Sequence, residues 1–335
     1  MALKLTVTCG PNPRLEPLID GTVKPEGIEL EFNVQNVEVM FYKNLHEDDF
    51  EVSEMSLSET LLARDRREKW GKGKWNWSGI PIFLSRGHAW VRAMYHSGRT
   101  SGDMADLRGK HIAVPDYDMT AALWWRATLK DMYGIEASDV RWSNMRTRGL
   151  SHGIELGLNE DSPPGVTLTW MPEAGDRPEM MDRGDFDACF GVYQPPFAPA
   201  GRKPAPEVKP YFTDEGKKAV TDYFRKTQCF QPNHHYVIQD RIAQANPWVP
   251  MALYQAFEES KQVAYERAGR KSNAYLYFDG DPAEQASIYG DDPYPFGLKA
   301  MRRTLERLEQ ASFEQGLIRN HIQIDALYHP STLQT

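Results

Sequence analysis

Val114-Pro115-Asp116-Tyr117-Asp118-Met119-Thr120-Ala121-Ala122-Leu123-Trp124-Trp125-Arg126 is the stretch whose reading decides the fold class. A strand ends at a proline, a polar aromatic turn follows, and an apolar run continues as a helix to Tyr133, with Gly134 as its stop. Asp118 is expected to be the helix N-cap. A helix N-terminus facing the end of a strand presents unpaired N–H groups and a partial positive charge. It therefore attracts carboxylates or phosphates.

The same strand-to-helix rhythm extends outward from this stretch. Leu3 to Thr8 alternates like a strand and meets a Gly-Pro-Asn-Pro turn that leads to Arg14. Ile28 to Asn33 reads as a second strand and Glu38 to Leu45 as a short helix. Asp49 to Ser53 reads as a strand that stops at Glu54-Met55-Ser56, ahead of a helix through Leu61 and Arg64. Ile80 to Leu84, Ala89 to Tyr95, Val166 to Trp170 and His235 to Gln239 are further strand expectations. Asn246-Pro247 is expected to open a helix running toward Gly269. Leu298, Met301, Leu305 and Leu308 predict one buried face of a helix to Gln315, with Gly316 as stop. Alternating strands and helices imply an α/β protein with mostly parallel sheet, whose ligands sit beyond the carboxyl ends of strands.

A chain of 335 residues has room for two domains. Gly98 to Asp103 is a polar break suited to a crossover, and the Pro-rich Gln194 to Pro210 is suited to a return. The expected lobes are therefore 1–97 plus 194–335, and 98–193. The net charge of −8 argues against a nucleic-acid partner. No stretch approaches a membrane span, and Met1 to Gly10 lacks the apolar run of a secretory signal. Cys9, Cys189 and Cys229 are too scattered for a disulfide framework. A cytoplasmic, soluble protein is expected, and a homo-oligomer is compatible with the sequence.

Trp70 to Trp77 contains glycines and lysines without GxxxxGK[ST] spacing, so its tryptophans are expected to cap a core or line a cleft. HExxH and GxGxxG are absent, which removes support for zinc proteases and dinucleotide enzymes. No cofactor and no metal are expected.

Longer motifs carry a family resemblance. "DLRGKHIAVP" at 106–115 and "GDFDACF" at 184–190 bracket a lobe that looks like half of the type II periplasmic-binding-protein fold. Added to them are "DGTVKPEGIEL" at 20–30, "FEVSEMSLSE" at 50–59, "VPDYDMTAALWWR" at 114–126, "NPWV" at 246–249, "DDPYPFGLKAMRRTLE" at 291–306 and "EQGL" at 314–317. With these the chain resembles the 4,5-dihydroxyphthalate decarboxylase family. The resemblance implies a two-lobed type II periplasmic-binding-protein-like α/β fold with an interlobe cleft, and decarboxylation of a small hydroxylated aromatic carboxylate. The chain departs from the family pattern after Ser85-Arg86, where Gly87-His88-Ala89-Trp90 follows, and in the Trp-rich loop.

Such chemistry needs an acid near the ring carbon, an acceptor near the ring hydroxyl, and cations on the retained carboxylate. Arg14 and Arg86 each follow an expected strand and can clamp a carboxylate, or else form a salt bridge. Thr120 can donate to a ligand or simply cap its helix, and Ser53 and Ser56 flank Glu54. Glu54 is a proton donor if burial raises its pKa, and an ordinary exposed or salt-bridged carboxylate otherwise. His234 and His235 point to opposite faces of a strand, so they cannot share a metal and one of them can face the cleft. The resemblance favours His234 as the proton-transfer residue, and a satisfied structural histidine is the competing reading for either one. His88 is a third histidine for the site, Tyr117 can stack on or hydrogen-bond an aromatic ring or else simply pack, and Arg126 is expected to be structural. The main competing reading is a solute-binding protein that uses the same cleft without chemistry. A different cytoplasmic lyase on the same scaffold is the third.

Overall fold

The computed structural model describes residues 2–214, 216–268 and 282–335. The first half of the chain contains β1 (Leu3–Cys9), α1 (Glu16–Ile19), β2 (Ile28–Val34), α2 (Val37–His46), β3 (Val52–Ser56), α3 (Leu57–Arg66), β4 (Trp77–Ile80), β5 (Met94–His96), β6 (His111–Val114), α4 (Thr120–Tyr133) and β7 (Arg141–Asn144). There follow α5 (His152–Glu155), β8 (Thr167–Trp170), α6 (Arg177–Asp182), β9 (Ala188–Cys189), β10 (Val208–Pro210), α7 (Lys217–Thr227), β11 (His234–Gln239), α8 (Asp240–Ala245), α9 (Val249–Ala268), α10 (Pro282–Tyr289) and α11 (Leu298–Glu314).

These strands form two sheets, ordered β2-β1-β3-β11-β4 and β10-β5-β9-β6-β7-β8. In the first, β1 runs parallel to β2 and β3, whereas β11 is antiparallel to both β3 and β4. In the second, β9, β6, β7 and β8 are parallel, and β5 and β10 add an antiparallel edge. The chain passes between the sheets twice, and the two crossings lie side by side: Asn233 N–H donates to Ser85 O at 3.0 Å beside an Arg86–Pro232 bridge.

Sheet membership moves the lobe boundaries. Met94–His96 and Val208–Pro210 pair within the second sheet, although the expected division placed the former, and the Pro-rich segment containing the latter, in the first lobe. The polar break at 98–103 is thus a turn inside the second lobe. The Pro-rich segment leads into its edge strand, and the crossings fall at 81–93 and 211–233.

Local differences have local causes. β3 starts at Val52 and runs through Ser56, because pairing with β11 continues to the Ser56–His234 register. The apolar run at 89–95 splits into a 3₁₀ turn, Ala89–Arg92, and β5. Asp118 does not cap α4: Met119 holds the N-cap position, and the Asp118 carboxylate is buried without a hydrogen-bond partner on either oxygen. Gly134 does end that helix, in left-handed conformation at φ 68° with its N–H on Leu129 and Lys130 carbonyls. α9 begins at Val249, whose N–H takes the Asn246 carbonyl at 3.0 Å, and Gly269 lies outside the described residues. In α11, Leu298, Met301, Leu305 and Leu308 are all buried, as their spacing requires.

The tryptophans of the 70–77 loop pack rather than line the cleft. Trp75 and Trp77 are buried, and the Trp75 indole donates to Leu45 O at 2.9 Å. Among the described residues no helix is long and apolar enough to cross a membrane.

Candidate active site

A cavity of about 220 Å³ lies where the ends of the two sheets face each other. Ser56 closes β3, Thr120 opens α4 beyond β6, Arg146 follows β7, and His234 starts the antiparallel β11; all four line the cavity. Phe41, Met119, Phe190 and Phe197 supply apolar walls suited to a ring.

One wall is built by strand register. Antiparallel pairing sets His234 opposite Ser56 and Tyr236 opposite Glu54, so period-two alternation puts all four on one sheet face. Glu54 therefore reaches His234 diagonally: its Oε1 lies 2.7 Å from His234 Nδ1. Its Oε2 accepts the Gly10 N–H at 2.8 Å. A Cβ at Gly10 would sit 2.6 Å from Val37 Cγ1, so glycine permits the backbone approach that fixes the carboxylate. Burial followed by the Glu54 charge pushes the Cys9 thiol up to about 12, and the same two causes hold the Tyr236 phenol well above its usual range. The Phe41 ring meets His234 edge-on at 4.7 Å and sets its plane. With Nδ1 engaged by Glu54, Nε2 is the His234 atom left for a ligand.

The opposite wall carries a second charged group. Arg146 is 7% exposed and pairs with Asp116 at 3.5 Å and with Glu38 at 3.6 Å. Burial works against its charge, but Asp116, Glu38 and Glu59 outweigh it and raise its pKa. His152 also lines the cavity, and its Nδ1 lies 2.9 Å from Glu59 Oε1. Burial, then the neighbouring Asp116 and Glu59 charges, raises the Asp118 carboxyl well above its ordinary range. Across the lobes, Ser56 Oγ and Thr120 Oγ1 share a hydrogen bond of 2.9 Å, and Thr120 Oγ1 accepts from Ser58 N–H at 3.0 Å. Thr120 thus faces the ligand space and ties the walls together.

Of the residues expected from sequence, the structure brings His234, Ser56 and Thr120 to the cavity, with Glu54 directly behind His234. The remaining six lie elsewhere. Ser53 is three residues from Ser56 on the same strand and so faces the other way, where its hydroxyl accepts from Asn44 at 2.9 Å. Arg14 is buried with its guanidinium 3.3 Å over the Tyr294 ring. Arg86 donates to Pro293 O and stacks 4.5 Å over Phe230. His88 packs edge-on to Trp90, and burial with the Arg86 cation pushes it down to about 3. Tyr117 is fully buried beneath the Arg126 guanidinium at 3.7 Å, with its hydroxyl donating to Gln315 O at 3.2 Å. His235 faces the interior, bonded to Thr60 Oγ1 at 2.9 Å.

Sequence reading passed over Arg146, His152, Glu59 and Arg92, all of which line the cavity. Arg146 had a usable signal, since it stands two residues past the end of a parallel strand. His152 and Glu59 had none, because they come from different lobes. Among the described residues no cluster of three or more His, Cys, Asp or Glu side chains is arranged to hold a metal.

No family model matches the chain. It is 29% identical over 336 residues to a 4,5-dihydroxyphthalate decarboxylase of Comamonas testosteroni, covering 99% of this chain and 98% of that protein. It is 30% identical over 225 residues to a 4,5-dihydroxyphthalate decarboxylase of Pseudomonas putida, covering 67% of this chain and 82% of that protein. Among solved structures, the periplasmic aliphatic sulphonate binding protein of Escherichia coli superposes over the full length of both chains with a TM-score of 0.54 at 12% identity. That likeness shows the fold, a two-lobed periplasmic-binding-protein-like α/β fold.

Proposed function

The chain belongs to the 4,5-dihydroxyphthalate decarboxylase family, and from that premise we propose that it is a carboxy-lyase removing CO₂ from a 4,5-dihydroxyphthalate-like aromatic acid. The observation that carries the reading is His234. It is held by a buried carboxylate at 2.7 Å and set in an apolar-walled cavity together with a buried arginine.

The roles follow from charge. In 4,5-dihydroxyphthalate each carboxylate has a hydroxyl para to it, and electron density from that oxygen reaches the carbon that must be protonated. Glu54 holds the Nδ1–H of His234, so the imidazolium presents its Nε2–H to that ring carbon. When the proton is delivered, the carbon–carboxylate bond breaks. Its electron pair restores the aromatic ring as CO₂ leaves. Arg146 and Arg92 are the cations for the retained carboxylate, and the Ser56–Thr120 pair, which spends one hydroxyl proton on its own bond, adds one uncharged donor. The chemistry requires no electron-sink cofactor in principle, because the ring itself carries the charge. The partner is a small aromatic carboxylate. The scattered cysteines, all free and buried, support a cytoplasmic setting.

Incubating the purified protein with 4,5-dihydroxyphthalate and related hydroxybenzoates, with chromatography of the product and measurement of CO₂, tests the reading. Conversion to 3,4-dihydroxybenzoate is expected, and His234→Ala should abolish it. Binding without turnover across the panel would sink the enzyme reading and leave a binding protein.

A further inference from the structure

His234 accounts for the proton that the ring carbon gains, but the decarboxylation step also needs an acceptor for the ring hydroxyl. We propose that His152, backed by Glu59, is a second catalytic histidine: the base that takes the proton from the hydroxyl para to the departing carboxylate. The inference rests on the decarboxylase reading and assigns the other half of its acid–base chemistry.

The two histidines line one cavity and are built alike. Each commits Nδ1 to a buried carboxylate, His234 to Glu54 at 2.7 Å and His152 to Glu59 at 2.9 Å, which leaves Nε2 for the ligand. The His152 and Glu59 side chains are only 3% and 2% exposed. The backbone of His152 is pinned as well, because Asp116 accepts its N–H at 2.9 Å and the Ser151 hydroxyl at 2.8 Å. The charged groups packed around the pair are Asp116 and Asp118 from the β6–α4 turn, Arg146 beyond β7 and Glu38 on α2.

The pairs differ in origin. Glu54 and His234 belong to the same sheet, whereas Glu59 lies on α3 beside the first sheet and His152 on α5 beside the second. The base is therefore assembled from both lobes, as the Ser56–Thr120 bond is. Glu59 is a positioning residue: it accepts Nδ1–H, so the neutral ring offers the Nε2 lone pair.

The protons balance over one turnover. The hydroxyl proton passes to His152 Nε2, and the phenolate electron pair raises the electron density of the para carbon. His234 protonates that carbon, the carbon–carboxylate bond breaks, and CO₂ leaves as the ring regains aromaticity as a phenolate. His152 returns its proton to that oxygen. His152 ends as it began, and His234 recovers one proton from solvent.

The test measures kcat and KM for 4,5-dihydroxyphthalate from pH 6 to 10 in wild type, His152→Gln, Glu59→Gln and His234→Gln. His152→Gln should lose about 10²–10⁴-fold in kcat near neutral pH with little change in KM. Its deficit should then shrink by about tenfold per pH unit as the substrate phenol, with a pKa of roughly 10, ionises without help. Glu59→Gln should show a smaller loss of the same shape and supplies the answer if His152→Gln does not fold. His234→Gln should show no rescue by alkali. A pH-independent loss in His152→Gln and Glu59→Gln, a change in KM alone, or unchanged rates would overturn the proposal and leave the pair as an interlobe latch. Absence of turnover in the wild type would instead remove the decarboxylase reading, and this assignment with it.

Discussion

The β3–β11 edge around His234 and the β6–α4 turn around Tyr117 start from similar material. Each offers an aromatic ring, a titratable side chain and a charged partner near the end of a strand, and each is a natural place to look for ligand contacts. Around His234 the partner is spent on one ring nitrogen and the other is left for the cavity. Around Tyr117 the ring, its hydroxyl and most of the Arg126 guanidinium are consumed internally, and the groups left without a partner, Arg126 Nη1 and the Asp118 oxygens, are buried in the core. Arg126 stacks on the ring at 3.7 Å and donates to Tyr117 O and Gln315 Oε1, both at 2.6 Å, while the phenol donates to Gln315 O. Unused hydrogen-bonding capacity at a cavity wall, and not residue type, separates a binding surface from a polar core.

The contrast can be broken most forcefully at Arg126. Arg126→Ala would leave a void and strand the Gln315 and Tyr117 oxygens, and should cost about 3–5 kcal/mol of stability in denaturant unfolding. Turnover per folded molecule should stay near wild type, and a selective loss of kcat would put Tyr117 and Arg126 back in the site. Arg146→Gln should do the converse, raising KM by about 10–100-fold with a smaller change in unfolding free energy. An unchanged KM would remove Arg146 from the carboxylate clamp.

Acid provides a third test, on the face of β11 turned away from the cavity. Burial, with the His234 charge beside it, pushes His235 down to about 3 from its ordinary 6.5. The unfolded chain therefore takes up a proton that the folded chain refuses. The stability is present in full above pH 6.5 and is lost as pH falls toward 3, at up to about 1.4 kcal/mol per pH unit. Replacing His235 by Gln should flatten unfolding free energy against pH within that window; an unchanged slope would mean that His235 does not resist protonation. Tyr117→Phe is the mildest probe. It removes one hydrogen bond, to Gln315 O, and should cost about 0.5–1.5 kcal/mol without altering KM. A raised KM would return the phenol to the ligand.

Much of the frame is legible in the sequence. The i, i+3, i+7, i+10 spacing of Leu298, Met301, Leu305 and Leu308 encodes a buried helix face, because helical geometry alone stacks those positions. The opposite orientation of His234 and His235 follows from strand alternation in the same way. The error over Ser53 is instructive. Ending β3 at Ser53 hid the parity that, with the strand running through Ser56, turns Ser53 away from the cleft. Arg14 and Arg86 were read from their position after a strand, but the C-terminal segment supplies Tyr294 and Pro293 to occupy them. Local sequence contains no information about a partner 280 or 207 residues away.

What the sequence determined by itself is periodic or motif-borne: the α/β class, the helix faces, the stop at Gly134, the family, and the opposite orientation of His234 and His235. Only the tertiary structure decided which polar groups remain unspent. It turned Tyr117 and Arg126 into a closed core, set Glu54 behind His234 through the β3–β11 register, and brought His152 to Glu59 from the other lobe. The physical reason is range. Periodicity and capping are written in residues within a few turns of each other, whereas burial and hydrogen-bond saturation depend on whatever the rest of the chain folds against them.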